Sequence, residues 1–485
     1  MSNDDVITIE GVDRTFSRRK IMIVLLIPLA MVLMSVSSVN VALPAIQSSI
    51  GATPSDIQWL LSGYSLSFGI FLVAAGRIGD VIGRGVTYIA GVAIFSVCSL
   101  LCGLVDDPMW LNTLRLLQGV GAGAYAPQTN GMIVQYFRGQ ARATANALFG
   151  LTVSVAVAVA PLITGLLIQI LDPDWGWRAS FIWNFPLGLA AIGLALAWLP
   201  FENERKIIAN RKAGIKRTEK LDLDPLGMII LALCVLCVML PFMIKTLASF
   251  ALLIIGVALM VIWVRWENYY LKRGREPMVN LNLFKTRSFT NATAISTVQF
   301  LGGTSIFVLL ALFLQQGLGA SAIVAGSIGL PNAIASALAA MVAGRSVLRK
   351  GRTMTMHALA IYMAGIATTI ILIQFMPTIS YWWLALSLIL CGLGVGAFNS
   401  ANQTLSMLEL TPTVGGTAGG VKQTCERTAT AIGNAMLTAI VFSFVASGWI
   451  LAVTIGYGVI LVILFLAFLL AWYDKRALGD PEPLR

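Results

Sequence analysis

Long blocks of apolar residues, each about as long as a bilayer-crossing helix, divide this chain. A helix needs about 20 such residues to cross the ~30 Å hydrocarbon core of a membrane. A closed barrel also satisfies its backbone in lipid, but its strands alternate polar and apolar residues, and these blocks do not. Charged residues make up 11% of the chain, against about 25% in soluble domains. The blocks therefore predict an all-α membrane protein.

Fourteen spans are predicted, in groups of six, two and six. They lie at 21–43, 57–76, 86–105, 110–133, 144–170, 179–199, 225–244, 249–266, 289–315, 322–344, 354–376, 381–408, 417–445 and 450–472. The predicted domains are a cytoplasmic segment 1–20, an N-terminal six-helix half 21–199, a cytoplasmic loop 200–224, an inserted helix pair 225–266, a cytoplasmic loop 267–288, a C-terminal six-helix half 289–472 and a cytoplasmic tail 473–485.

The positions of lysine and arginine orient these spans. The chain has 33 such residues and a net charge of +11. If both termini are cytoplasmic, the outside loops hold Arg178 and Lys245, and every other basic residue outside the spans lies in a cytoplasmic segment. This is the bias of the positive-inside rule. Topology and contact with membrane lipids explain the basic charge, so we expect no nucleic-acid partner. The pattern predicts a multi-pass protein of the cell membrane, such as a bacterial inner membrane.

Residues suited to metal or nucleophilic chemistry are scarce. Cys234 and Cys237 have the spacing of a metal-ligand pair, but no second pair is nearby and His357 is the single histidine. All six cysteines lie in apolar blocks, which favours a reading as small hydrophobic side chains in helices. No nucleophile stands in a pattern with a base. We therefore expect no metal, no cofactor and no enzymatic activity.

Two motifs occur twice, in the same order. The pattern G-R-x5-G-R stands at 76–84 and 344–352, and G-x-G-x-G-A-aromatic stands at 119–125 and 392–398. The first motif follows span 2 and again span 10, and the second motif lies in span 4 and again in span 12. The repeat predicts two pseudo-symmetric six-helix halves with an inserted pair, a transporter plan whose substrate binds between the halves near the midplane. The small residues predict close helix packing.

Several segments resemble those of the major facilitator superfamily. Residues 76–84, including Asp80, are similar to its signature loop after span 2, and residues 115–119 are similar to its R-x-x-Q-G motif in span 4. Segments that resemble the fourteen-helix drug:proton antiporters of that superfamily are 39–44, 57–60 with Tyr64, and 176–178 with Asn184 and Pro186. The resemblance covers essentially the whole chain. It implies a monomeric secondary transporter that exports drugs or amphiphilic small molecules by alternating access, with the proton as coupling ion.

The chain departs from this family pattern in its first and fifth spans. Ser35 stands where the relatives usually have an aspartate, five residues before Asn40. The exporter motif of span 5 keeps Pro161 and Gly165, but alanine or threonine occupies its other expected glycine positions. The loss of the acid in span 1 fits a neutral or differently coupled substrate.

A third departure, in span 13, supplies the charges expected to carry coupling. Lys422, Glu426 and Arg427 stand where the relatives usually have an apolar residue, a glutamine and an arginine. A charge at the centre of a span costs roughly 2.5–3.5 kcal/mol and needs a partner or a function. Glu426 is either a proton or cationic-substrate site, or one half of a structural ion pair with Lys422. Arg115 in span 4 belongs to the proton pathway by resemblance, or bonds to backbone and Gln118.

Asp80 is the candidate gating residue. By resemblance it makes an inter-helix charge contact that holds one conformation, with Arg77 and Arg84 as local partners and Gly76 and Gly83 in the same loop. The alternative is an acid in a solvated loop.

The substrate cavity is expected to be apolar and aromatic with few charges, which suits amphiphilic or lipophilic compounds. Each candidate residue for its lining could instead simply pack between helices. The candidates are Ser35, Asn40, Tyr64, Gln118, Tyr125, Phe307, Asn399 and Gln403. Two alternatives to drug export stay open: a translocator of lipids or lipid precursors, and a receptor or scaffold that does not transport.

Overall fold

The computed structural model describes residues 6–9, 12–201, 204–205, 224–244, 246–320, 324, 327–376, 378–411 and 414–480. These residues are almost entirely helical, as the apolar blocks predict. One exception is an antiparallel hairpin of β1 (Val6–Ile9) and β2 (Val12–Ser17), in which Val6 lies opposite Ser17. The hairpin falls in segment 1–20, for which the sequence predicted a cytoplasmic location but no secondary structure.

The chain forms two compact units. Unit 1 comprises Met1–Arg138, Leu167–Thr286 and Leu410–Thr424, and unit 2 comprises Gly139–Leu166, Arg287–Glu409 and Cys425–Arg485. The helices of unit 1 are α1 (Arg18–Ile50), α2 (Pro54–Ile82), α3 (Arg84–Cys102), α4 (Pro108–Tyr136), α6 (Pro173–Ile182), α7 (Asn184–Trp198), α8 (Pro225–Ile244) and α9 (Ala251–Lys272). Those of unit 2 are α10 (Arg287–Gly303), α11 (Ile306–Leu312), α12 (Leu330–Gln374), α13 (Leu384–Ser406) and α15 (Trp449–Leu478). Two helices, α5 (Gly139–Leu171) and α14 (Gly415–Phe444), contribute residues to both units. Single turns stand at Leu247–Phe250, Leu281–Lys285, Phe313–Gly317, Tyr381–Trp383 and Val445–Ser447.

Twelve helices in the described part of the chain are long and apolar enough to cross a membrane. The two remaining predicted spans are also helical. The fourth span is α4, which is 29 residues long but carries Arg115, Gln118 and other buried polar side chains. The seventh is α8, whose apolar stretch Pro225–Pro241 is short. The total of fourteen spans stays a prediction.

In unit 1, α4 packs between α2 and α3, and the glycine triplet of α4 explains how closely. A Cβ atom on Gly119 would collide with Ser67, and one on Gly123 would lie 2.9 Å from the backbone oxygen of Phe68, so both glycines face α2. A Cβ atom on Gly121 would lie 2.6 Å from the backbone nitrogen of Phe95 in α3. Alternate glycines therefore admit a neighbouring helix on either side.

In unit 2, the second copy of the triplet packs in the same way. The helix α12 has non-helical dihedrals at Lys350, which divide it into two parts. Cβ atoms on Gly392 and Gly396 of α13 would collide with the backbone of the first part, and one on Gly394 would lie 2.6 Å from the backbone nitrogen of Tyr362 in the second. The repeated motif thus has one packing role in both units.

Helix ends extend beyond the predicted spans at the polar boundaries. The eighth span was predicted to end at residue 266, but α9 continues to Lys272 and places Glu267 inside the helix. The last was predicted to end at residue 472, but α15 continues to Leu478 and includes Asp474. Both acids are buried.

Candidate functional site

Among the described residues of unit 1, Arg115 of α4 is the most deeply buried basic side chain, at 1% exposure. Its Nη1 donates to the hydroxyl of Ser35 on α1 at 3.0 Å and to Oε1 of Gln118 at 2.8 Å. Its Nε lies 3.4 Å from the backbone oxygen of Leu60 on α2. The guanidinium therefore links three helices, α1, α2 and α4. Its partner on α1 is Ser35, at the position where the relatives usually have an aspartate.

Aromatic rings complete the surroundings of this cation. The Cζ atom of Arg115 lies 4.2 Å from the ring centre of Tyr64 and 5.7 Å from that of Phe181. Within the described residues its contacts are all to neutral groups. Ring faces attract a desolvated cation by about 2 kcal/mol, which offsets part of the cost of burying the charge. Three predicted cavity residues, Ser35, Tyr64 and Gln118, thus meet around Arg115.

The other predicted cavity residues lie elsewhere. Tyr125 donates its hydroxyl to the backbone oxygen of Pro28 at 2.8 Å and packs edge-on against neighbouring rings, so it ties α4 to α1. Phe307 is 39% exposed. Asn399 and Gln403 are half-buried on α13. The side chain of Asn40 lies outside the part of the chain that the structure describes.

Asp80, near the end of α2, caps the beginning of α14. Its Oδ2 accepts hydrogen bonds from the backbone N–H of Thr417 at 2.9 Å and from the Thr417 hydroxyl at 2.8 Å. Its Oδ1 lies 3.3 Å from the backbone nitrogen of Gly416. A carboxylate at a helix N-terminus satisfies unpaired N–H groups and interacts favourably with the helix dipole. The sequence predicted an inter-helix contact for Asp80 but not that its partner is a helix N-terminus.

Arg84 is the second partner of Asp80. Its Nη2 and Nε donate to Oδ1 of Asp80 at 2.6 and 2.9 Å, and its Nη1 donates to the backbone oxygen of Gly131 and to Gln135 on α4. The side chain is buried, and the bend that places it requires Gly83, which has a φ of +134°. Two cationic bonds therefore hold the carboxylate of Asp80 in place.

Arg77, the other predicted local partner of Asp80, forms an ion pair with an acid in the segment after α9. Its Nη2 lies 2.7 Å from Oε2 of Glu276, which is 72% exposed. Gly76 serves close packing, because a Cβ atom there would lie 2.6 Å from the backbone oxygen of Gly416. The signature loop thus contains one arginine paired with Asp80 and one paired with the segment after α9.

Comparison with known proteins now fixes the family. Residues 25–434 match the sequence profile of the Major Facilitator Superfamily. The chain belongs to the Major Facilitator Superfamily. It is 28% identical over 415 residues to the probable actinorhodin transporter of Streptomyces coelicolor, covering 84% of this chain and 70% of that protein. It is 27% identical over 428 residues to the multidrug resistance protein Stp of Mycobacterium tuberculosis, covering 86% and 75%.

A solved structure gives the same fold. The human organic anion transporter MFSD10 superposes with a TM-score of 0.64 over 93% of this chain and 99% of that protein, at 14% identity. At this identity the similarity concerns the fold alone. The protein is therefore a multi-pass membrane protein with the all-helical fold of the Major Facilitator Superfamily.

The remaining predicted site residues of this superfamily member lie on α14 and α5. Lys422 is 3% exposed, and Glu426 and Arg427 are half-buried near the middle of α14. Pro161 and Gly165 lie within α5, both half-buried. A Cβ atom on Gly165 would meet nothing within 4 Å, so this glycine is not needed for close packing.

Three buried acids were missed because the sequence assigned them to loops. Asp474 of α15 pairs with Arg352 at 3.0 Å, and both side chains are buried. Asp224 and Glu267 lie against each other at the base of α8 and α9. Extending the predicted helices beyond their last apolar residue would have placed Glu267 and Asp474 in helices. Their partners, however, are identified only by the fold.

Proposed function

We propose that this protein is a secondary exporter of drugs or amphiphilic small molecules in the cell membrane, with both termini in the cytoplasm. Export proceeds by alternating access and is coupled to protons. Relatives named for multidrug resistance and for actinorhodin transport support the substrate class. The observation that carries the mechanism is the cap that Asp80 forms on α14.

The Asp80 cap has the properties of a gate. It consists of directional hydrogen bonds at the ends of two helices, α2 and α14, rather than an interdigitated apolar core. Such a contact opens without unfolding either helix, because water can replace the carboxylate at the N–H groups. We assign Asp80 to holding one conformation, Arg84 to positioning Asp80, and Gly76 to the close approach of the helices.

Proton coupling is assigned to Glu426, with Arg115 as the fixed charge of the N-terminal half. Glu426 is an acid in the middle of α14 whose side chain is half-buried. A carboxyl group within a membrane helix is costly unless it has a function or a partner. Arg115 is held by Ser35, Gln118 and the rings of Tyr64 and Phe181, so its charge keeps a fixed position in the N-terminal half.

The test is efflux in an exporter-deficient host, followed by transport in inside-out vesicles with an imposed pH gradient. The wild type should protect cells against lipophilic cationic dyes and accumulate dye in vesicles only when the gradient is present. Glu426→Gln should abolish the dependence on the gradient, whereas exposed Glu409→Gln should retain it. Wild-type pH dependence in Glu426→Gln would remove Glu426 from the coupling mechanism.

A second candidate, translocation of a lipid or lipid precursor, is favoured by one observation. Ser35, a neutral group, holds Arg115 where an acid would otherwise select cations. Deletion of the gene with no change in dye resistance but altered surface lipids would favour this alternative.

A further inference from the structure

Two buried carboxyl groups meet at the base of the inserted helix pair, α8 and α9. Asp224, the residue before α8, is 0% exposed, and Glu267, in the last turns of α9, is 1% exposed. A Cβ atom on Gly227 would collide with Oδ2 of Asp224 and lie 2.9 Å from Oε1 of Glu267. The two oxygens border the same small space, where two negative charges would repel each other strongly.

Asp224 accepts three hydrogen bonds from groups around it. Its Oδ1 accepts from the backbone N–H of Gly227 at 3.0 Å and from the indole N–H of Trp266 at 2.9 Å. Its Oδ2 accepts from the backbone N–H of Met278 at 3.4 Å. Two or three such donors stabilise the charged form of a carboxyl group.

Glu267 has the opposite surroundings. Its Oε2 accepts one long hydrogen bond, from the backbone N–H of Val279 at 3.3 Å. No donor in the described residues bonds to its Oε1, although the indole of buried Trp263 faces the carboxyl group. An ionised, buried oxygen without a donor is unfavourable, because it has lost its hydration and gained no hydrogen bond in exchange. A proton on Oε1 removes the charge and converts the oxygen into a donor with Asp224 beside it.

We propose that Asp224 and Glu267 form a proton-binding site, in which Glu267 holds the proton and Asp224 accepts it as a hydrogen bond. The ligand is a single proton, shared by two carboxyl groups whose like charges forbid ionisation of both. The site is separate from Glu426 and does not rest on the export of drugs. It gives the inserted helix pair a chemical role.

The site is connected to the end of α2. Asp224 and Glu267 together bind the backbone of residues 278–279, which follow Glu276, the partner of Arg77. In the described residues, the charged groups that act on the Glu267 carboxyl are Asp224 and Arg77. Loss of the proton places a second negative charge beside Asp224, and the same charge attracts Arg77 away from exposed Glu276. Repulsion then separates the two carboxyl groups that together hold residues 278–279. Proton binding therefore stabilises the arrangement of α2, α8 and α9 seen here.

Infrared spectroscopy of the purified full-length protein tests the proton directly, because a protonated carboxyl group absorbs apart from a carboxylate. The wild type should show a protonated-carboxyl band at neutral pH that Glu267→Gln removes. Asp224→Asn keeps a residue that caps a helix as well as aspartate does. It should lower the titration midpoint of the band by at least about one pH unit, because the like charge is gone. Glu409→Gln, in an exposed loop, should leave the band unchanged.

Hydrogen exchange of the Met278 and Val279 amides tests the connection. In the wild type their protection, corrected for intrinsic exchange, should fall about tenfold as the pH rises through the midpoint of the band. In Glu267→Gln it should not change with pH. An infrared titration that is the same in wild type, Glu267→Gln and Asp224→Asn would overturn the proposal. If Glu267→Gln fails to fold, an unchanged midpoint in Asp224→Asn overturns it alone.

Discussion

Replacing Asp80 with asparagine gives the most direct measure of the proposed gate. Asparagine has nearly the shape of aspartate but loses its charge and replaces one acceptor oxygen by an N–H donor. If the amide takes the place of Oδ2, both bonds from Thr417 are lost. If it takes the place of Oδ1, the bonds from Arg84 and Gly416 are lost. Either orientation removes at least two charge-assisted hydrogen bonds.

The expected free-energy change follows from these bonds. A hydrogen bond to a charged group contributes about 1.5–3 kcal/mol net of hydration, so two of them contribute about 3 kcal/mol at the lower end. A change of 1.4 kcal/mol is about tenfold in an equilibrium. Asp80→Asn should therefore shift the equilibrium between the capped and uncapped states by about 100-fold. Thr417→Val removes the hydroxyl bond alone and should shift it by about tenfold.

Hydrogen exchange of the Gly416 and Thr417 amides is the assay, since these groups donate to Asp80. Their protection should fall in the order wild type, Thr417→Val, Asp80→Asn, while the exposed control Glu409→Gln matches the wild type. Efflux measured in parallel should fall with protection, because a gate that does not stay closed leaks. Equal protection and equal efflux in wild type and Asp80→Asn would refute the gate.

Three further substitutions test other parts of the structure. Arg115→Gln keeps a hydrogen-bonding side chain but removes the charge, and should lower efflux per folded molecule at least tenfold; unchanged transport would exclude Arg115 from the mechanism. Gly121→Ala should destabilise the protein in detergent by about 1–3 kcal/mol by overpacking, whereas Gly193→Ala, which faces open space, should not. Hydrogen bonds from Thr53 lower the pKa of Asp56, so Thr53→Ala should cost about 1 kcal/mol at neutral pH, and this difference should shrink as the pH falls through that lowered pKa.

Much of the helical fold could be predicted because lipid imposes a length and a composition on each span. The glycine triplets also predicted close packing, which the approach of α2 and α3 to α4 shows. Hydropathy does not detect the backbone hydrogen bonds that continue a helix beyond its last apolar residue. It therefore ended the eighth span before Glu267, although α9 continues to Lys272.

In the candidate site, the sequence predicted the charged residues but not the groups to which they bond. Arg115 and Asp80 stand out in the sequence because charges are rare near or within spans. Their partners could not be predicted, since hydrogen bonds form between residues that are distant in the chain. Tyr125 illustrates this: its aromatic ring suggested a cavity, but its hydroxyl bonds to the backbone of Pro28.

In the two copies of the G-R-x5-G-R motif, the final arginine is paired with an acid from a different part of the chain. Arg84 and Arg352 end the two copies, and each is buried and paired with an acid. In the first copy the acid is Asp80, four residues earlier on the chain. In the second copy the sequence has Leu348 there, and Asp474 of α15 supplies the acid instead.

This difference explains why a gate is expected in one copy alone. Asp474 is held from two sides within unit 2, by Arg352 at 3.0 Å and by Asn291 of α10 at 2.6 Å. None of these groups is a helix N-terminus, so separating them would leave buried charges unpaired. Asp80 instead shares its carboxylate between Arg84 and the first N–H groups of α14. These N–H groups become accessible to water when α14 moves away from α2. When α14 departs, Arg84 still neutralises Asp80, and water satisfies the N–H groups. The first copy therefore has a contact that can break without leaving a buried charge unpaired, and the second has one that cannot.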